Sequence, residues 1–330
     1  MKKITSGLIL ILALVIISLA APLAGAEENP RVYGATASSN FILYALDPDI
    51  VAGWITPLRD YEKKFIPEKY QNLPILGGYY GDGYIPDREV LMAQGLKEAL
   101  LITDGAHTST DITPALETLG IHTTVLSGNI PDLPQTFRSL GRIYGRPERG
   151  EALGAYAEKA LAAVKAAVGD LPPAKRPTVY VAMQADGLAT VCEMESLELA
   201  GGRNVHQCLA GNDSTLHITF EQLLTYDPDV ILVYHPPLAK EMVTDPNWSR
   251  LRAVREGRYY LMPRGPFTWL ERPTTFMRLL GLQWLANILH PDLLPLDIKA
   301  ETETFMQLFF KVALTGPETD KLLKSGALSD

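Results

Sequence analysis

One run of strong helix formers, Pro147 to Val168, stands between two stretches that each alternate short β-rich apolar runs with helical patterns. Alanine, leucine, glutamate and lysine dominate it, Pro147 suits a first helical turn, and Gly169-Asp-Leu-Pro-Pro stops it. At about 1.5 Å per residue, such a helix is a rod roughly 33 Å long. A single stiff rod between two α/β halves restricts hinge motion, whereas several extended crossovers would permit wide closure. The alternative is an ordinary crossover helix inside one large sheet.

The halves echo each other. Pro30-Arg-Val-Tyr-Gly-Ala35 recurs as Pro177-Thr-Val-Tyr-Val-Ala182. Glu89-Val-Leu-Met precedes the segment Gly95 to Ile102 at the same spacing by which Glu221-Gln-Leu-Leu precedes Asp227 to Tyr234. Each half thus has an opening strand and a Glu-headed helix feeding a second strand. Candidate strands are Arg31 to Ala35, Pro74 to Leu76, Ala99 to Thr103, His122 to Leu126, Thr178 to Met183, Val230 to Tyr234 and Tyr259 to Met262. Alternation of this kind argues for parallel sheets with ligands beyond the carboxyl ends of the strands. The expected fold is α/β: two Rossmann-like lobes, each with a mainly parallel central sheet, joined by a single long backbone helix. The lobes span residues 27–146 and 171–330, with the connecting helix at 147–170.

Residues 1–26 are set apart. Lys2 and Lys3 start the chain, Leu8 to Ala21 is almost wholly apolar, and Ala24-Gly-Ala26 offers the small residues that a signal peptidase reads. The apolar run is shorter than the about 20 residues a bilayer-crossing helix needs. A cleaved export signal is expected, with retention as an N-terminal anchor as the alternative. The formal charge of −8 disfavours broad affinity for phosphate backbones, so no nucleic-acid partner is expected. Cys192 and Cys208 are too few for a disulfide scaffold, although an oxidising compartment would allow them to bond. The nucleophile elbow, phosphate-loop lysine, His-Glu-x-x-His and Cys-x-x-Cys signatures are missing, and no enzyme is expected.

Four phrases, in order, carry a resemblance: Arg31-Val-Tyr-Gly-Ala-Thr-Ala-Ser-Ser-Asn-Phe-Ile-Leu-Tyr-Ala-Leu46, Phe220 to Val233, Trp248 to Tyr260, and Pro263 to Pro273 leading into Met277 to Leu285. Over most of residues 30–312 the chain resembles the class III periplasmic substrate-binding proteins of ABC importers, the group that delivers iron siderophores, cobalamin and haem. It departs from them where their first lobe carries Lys-Pro-Asp; Gly95-Leu-Lys stands here, with Glu98 at the strand entrance. The resemblance implies an ABC permease as partner, a monomer in the periplasm, and no intrinsic cofactor beyond a bound metal chelate. It also implies that one acid on the crown of each lobe, Glu89 and Glu221 by position, docks on the permease. The alternative for both is an ordinary glutamate at a helix N-terminus.

Residues just after the strands are expected to line the cleft. Ser39 and Asn40 precede an apolar run and place a helix N-terminus there, as caps or as an anion site. Tyr79 and Tyr80 follow the Pro74 strand in a glycine-rich loop and offer aromatic faces, although packing of either ring is the alternative. His107, His217 and His235 each follow or flank a strand; each reads first as a hydrogen-bonding residue, with metal contact as the alternative. Arg264, between Pro263 and Gly265 and followed by Phe267 and Trp269, suits an anionic ligand; an ion pair with Glu271 or Asp186 is the other reading. Gln184 and Asp186 are further candidates. The function expected is capture of a metal chelate, first an iron siderophore. Cobalamin, haem, a nickel or cobalt chelate, an oxyanion such as molybdate, and a membrane-partnered sensor without transport stand as alternatives.

Overall fold

The computed structural model describes residues 30–79, 85–103, 111–207, 215–271 and 273–325. In the first lobe, strands β1 (Val32–Gly34), β2 (Glu98–Thr103) and β3 (His122–Ser127) pair in parallel in that order. Parallel bridges from Val32 to Val51 and from Trp54 to Ile75 widen this edge. The expected strand at Pro74 to Leu76 is thus reduced to one bridge. In the second lobe, β4 (Thr178–Ala182), β5 (Ala189–Val191), β6 (Arg203–Asn204), β7 (Thr215–His217), β8 (Val230–Val233) and β9 (Tyr259–Leu261) form two sheets. The larger is parallel with order β6-β4-β8-β9, and β5 and β7 make an antiparallel ribbon. The two lobes have separate parallel sheets, which disposes of the single-sheet alternative.

The internal echo survives as geometry. Aligning the two opening phrases matches Tyr33 with Tyr180, and aligning the downstream segments matches Ala99 with Ile231. In the sheets, Tyr33 lies opposite Ala99 and Tyr180 opposite Ile231. Gly95 and Asp227, matched by the same alignment, both have positive φ, +64° and +35°. Each turns a Glu-headed helix, Arg88–Ala93 or Phe220–Tyr226, into its strand.

The connector is a 22-residue helix, Pro147–Val168. Helix Leu133–Ile143 packs along it so closely that a Cβ on Gly150 would lie 2.7 Å from the Gly141 Cα. Any larger side chain there would push the two helices apart. Arg149, on the connector, donates to the carbonyls of Ala45 and Leu308, tying it to the ends of two other helices. Helix Ile298–Phe310 packs on both Ala37–Leu46 of the first lobe and Arg278–Leu289 of the second. One apolar cluster runs from Val32 through Phe137, Leu153 and Leu280 to Phe310, so the lobes share a core behind their sheets. Burial at about 25 cal/mol per Å² makes such a shared core expensive to shear.

Candidate functional site

Segments that follow the first-lobe strands meet the second lobe directly. Glu195 of the second lobe accepts from Ile130 N of the first, 3.0 Å, and from Arg278 Nη1, 2.9 Å. Arg278 also donates to the Gly128 carbonyl, and its side chain is only 3% exposed. A charge this deeply buried is tolerable only when paired and hydrogen-bonded, and here that pairing stitches the lobes together. Ser38 Oγ adds a hydrogen bond to the Thr274 carbonyl across the same divide.

Arg264 follows β9 and reaches back over the end of β8. Its guanidinium carbon lies 4.5 Å from the Tyr234 ring centroid, and Nη2 donates to the Tyr234 carbonyl. Its Nε is buried without a hydrogen-bond partner, and among the described residues no carboxylate forms an ion pair with it. The expected alternative pairing with Glu271 or Asp186 is therefore not made. The next residue to Tyr234, His235, presents its ring edge-on to that tyrosine at 5.1 Å. From the first lobe, the segment Arg59 to Phe65 comes against the same loop: a Cβ on Gly265 would lie 3.3 Å from the Phe65 ring. Arg59 Nη1 donates to the Tyr61 hydroxyl at 2.8 Å. Burial first, with the Glu62 charge, pushes the Tyr61 phenol up overall, against the Arg59 hydrogen bond and the charges of Arg59 and Arg264.

The residues expected after β1 have different work. Thr36, not Ser39 or Asn40, caps helix Ala37–Leu46 by accepting from Ser39 N. Ser39 and Asn40 are wholly buried: Ser39 Oγ accepts from Ile102 N at 2.8 Å, and Asn40 Nδ2 donates to the Gly53 carbonyl at 2.8 Å. Their side chains brace the helix against β2 and the Gly53 segment, which corrects the anion-site reading. Trp269 is likewise wholly buried, with its indole N–H donating to the Gly265 carbonyl. It backs the Arg264 loop from the core and offers no face to a ligand.

Tyr79 is half-buried against the first-lobe core. Gln184 and Asp186 are exposed in the turn after β4, where Asp186 accepts from Leu188 N at 3.0 Å. His217 is exposed at the end of β7. Tyr80, His107 and Cys208 lie outside the described residues, and Cys192 is disulfide-bonded. Among the described residues no cluster of His, Cys, Asp and Glu could hold a metal ion. Glu89 and Glu221 are exposed, each in the first turn of its helix. Sequence reasoning missed Arg59, Tyr61, Glu195 and Arg278. Arg278 carried one signal: it is the lone charge on an otherwise largely apolar helix.

Comparison with known proteins agrees with this architecture. An ABC transporter solute-binding protein from Sulfurospirillum deleyianum superposes with a TM-score of 0.83 at 33% identity, covering 90% of this chain and 94% of that one. The molybdate-binding protein MolA of Haemophilus influenzae is 26% identical over 188 residues, 55% of this chain; the match spans about half of that relative, 52% of its length. The structure of MolA bound to molybdate has a TM-score of 0.68 at 18% identity, covering 87% of this chain and 95% of that one, a likeness of fold. The periplasmic binding protein family model matches residues 99–265, across the connector and both sheets, and the chain belongs to that family of ABC-transporter solute-binding proteins.

Proposed function

We propose that this periplasmic binding protein captures an anionic metal species between its lobes, with an oxyanion of the molybdate class as its first cargo, and delivers it to an ABC permease. The observation that carries this reading is Arg264, which is stacked on Tyr234 at the cleft with a buried, unpartnered Nε and no carboxylate paired to it. A compact oxyanion is satisfied by a few donors, and the Arg264 Nε is a donor without a protein partner. A broad planar chelate calls for wide aromatic walls, and Trp269, expected as one of them, is spent in the core. The molybdate-binding name of the Haemophilus relative points the same way. An iron siderophore is the second reading, supported by the half-buried rings of Tyr61, Tyr79 and Tyr234.

Titration calorimetry of the purified protein with molybdate, and separately with a ferric hydroxamate siderophore, tests the choice. Molybdate should bind, and Arg264→Ala should weaken it tenfold or more, on the order of 1.4 kcal/mol. Binding of the chelate alone would sink the oxyanion reading in favour of the siderophore. Delivery rests on Glu89 and Glu221, exposed at matching places on the two lobes, where opposite charges on a permease would set orientation and encounter rate. The Glu89→Ala, Glu221→Ala double variant should bind normally and fail in uptake; normal uptake would dismiss the docking assignment.

A further inference from the structure

We propose that Leu322, on helix Gly316–Ser325, is a positioning residue for the ligand: it fills the space behind Gly265 and so fixes the direction in which Arg264 presents its guanidinium. The inference rests on the oxyanion reading above and deepens it.

The Arg264 side chain is held by one hydrogen bond and one ring contact, both to Tyr234, and among the described residues no carboxylate pairs with it. Where the guanidinium points therefore depends on the backbone that carries it. That backbone is a tight turn. Arg264 bridges Thr268 in antiparallel pairing, Gly265 N donates to the Phe267 carbonyl at 3.0 Å, and Trp269 N donates to the Pro263 carbonyl at 3.0 Å.

Three elements far apart in the chain close on this turn. A Cβ on Gly265, whose φ is +152°, would lie 2.7 Å from Leu322 Cδ1 and 3.3 Å from the Phe65 ring. Phe267 stacks on Phe41 of the first lobe, ring centroids 3.3 Å apart and planes at 21°. Of the atoms that a Gly265 side chain would meet, Leu322 Cδ1 is the nearest. Leu322 is wholly buried, and its helix is fastened to Ile298–Phe310 by Thr319 Oγ1 donating to Glu303 Oε1 at 3.1 Å and by the Lys299 and Asp320 ion pair at 2.8 Å. The turn thus rests on a support that is itself anchored. Truncating Leu322 opens a cavity directly behind Gly265, and surroundings relax only partly into such a space. A charged donor on a loosened turn must be ordered when the anion binds, and that ordering is subtracted from affinity.

Titration calorimetry with molybdate, run well below the unfolding temperature of every protein, compares the wild type with Leu322→Ala, Leu322→Met, Leu251→Ala, Arg264→Ala and the Arg264→Ala, Leu322→Ala pair. Leu251 is 1% exposed in the separate apolar cluster of the second lobe, so its truncation makes a cavity away from the turn. Leu322→Ala should weaken molybdate about fivefold. Leu322→Met, which keeps the volume, should stay within about twofold. Leu251→Ala should lower the unfolding temperature comparably and leave affinity unchanged. The pair should bind no more weakly than Arg264→Ala alone, because Leu322 acts through that arginine. Should Leu322→Ala fail to fold, Leu322→Val makes a smaller cavity at the same place and should show a smaller loss of affinity in the same direction. Wild-type affinity in the folded Leu322 truncation, an equal loss in Leu251→Ala, or additive losses in the pair would overturn this inference while an impaired Arg264→Ala left the oxyanion reading standing. A wild type that binds no molybdate, or Arg264→Ala with undiminished affinity, would overturn both.

Discussion

Tyr33 in the first lobe and Tyr180 in the second occupy matching places in their sheets, and each spends its buried hydroxyl on a glycine carbonyl. Tyr33 donates to Gly77 at 2.8 Å and Tyr180 to Gly187 at 2.7 Å. One strand to the side, the likeness ends. At the entrance of β8, Asp229 accepts from Thr178 N at 2.7 Å, from Thr178 Oγ1 at 2.8 Å and from Arg252 Nη2 at 2.7 Å. The matching residue in the first lobe is Lys97, exposed to solvent, and the matching partner is Arg31, which reaches instead to the Ala52 carbonyl and Gln94. A repeated scaffold therefore keeps what the strand register requires and lets the strand entrances diverge.

The difference predicts unequal sensitivity. Asp229→Ala leaves the part-buried Thr178 and Arg252 donors without their carboxylate and should cost about 1–2 kcal/mol in urea unfolding. Lys97→Ala in the matching position should stay within about 0.5 kcal/mol. Equal losses would deny that the entrances differ energetically. Acid sharpens the same contrast. Burial pushes the Asp229 carboxyl up, but Arg252 and Thr178 outweigh it and hold it below the ordinary carboxylate range. A depressed folded-state value means a stabilisation complete above the unfolded value and lost as pH falls through the folded one. The gap between wild type and Asp229→Asn should accordingly be widest near neutrality and shrink in strong acid; a gap independent of pH would remove the charge from the explanation.

Smaller and more symmetrical effects are expected of the shared features. Tyr33→Phe and Tyr180→Phe should each cost about 1–2 kcal/mol, because each leaves a buried carbonyl without its donor. A difference of more than about 1 kcal/mol between them would break the equivalence of the two sites. At the turns, Gly95→Ala places a Cβ in the left-handed region and should cost about 1 kcal/mol. Asp227→Gly relieves the same conformation and should change stability by no more than about 0.5 kcal/mol, since it also gives up a weak contact with Arg252 at 3.5 Å. Chemical unfolding of all four proteins under one condition makes the comparison.

Much of the fold was legible because its signals are local. The helix formers between Pro147 and Val168 needed no partner to be recognised, and the echo of Pro30 to Ala35 in Pro177 to Ala182 located the opening strand of each sheet. The short strands β5, β6 and β7 were not legible: two or three residues carry too little pattern to be told from loop. Among the candidate site residues, Arg264 stands out from its neighbours in the chain, whereas Trp269, expected to line the site, is wholly buried. An aromatic residue five positions past an arginine has no local mark that says which way it faces, and the core behind the loop claimed it. Arg59 and Tyr61 sit on a four-residue helix without a motif, Asp60–Lys63, and its immediate flank.

The amino-acid order by itself determined that there would be two similar parallel-sheet lobes and a stiff rod between them, since strand register and helix propensity depend on residues close together in the chain. Tertiary structure alone decided which side chains meet in the cleft. Phe65 and Gly265, or Ile130, Glu195 and Arg278, are brought together only when the two lobes pack on a shared core, because their partners lie far apart in the chain.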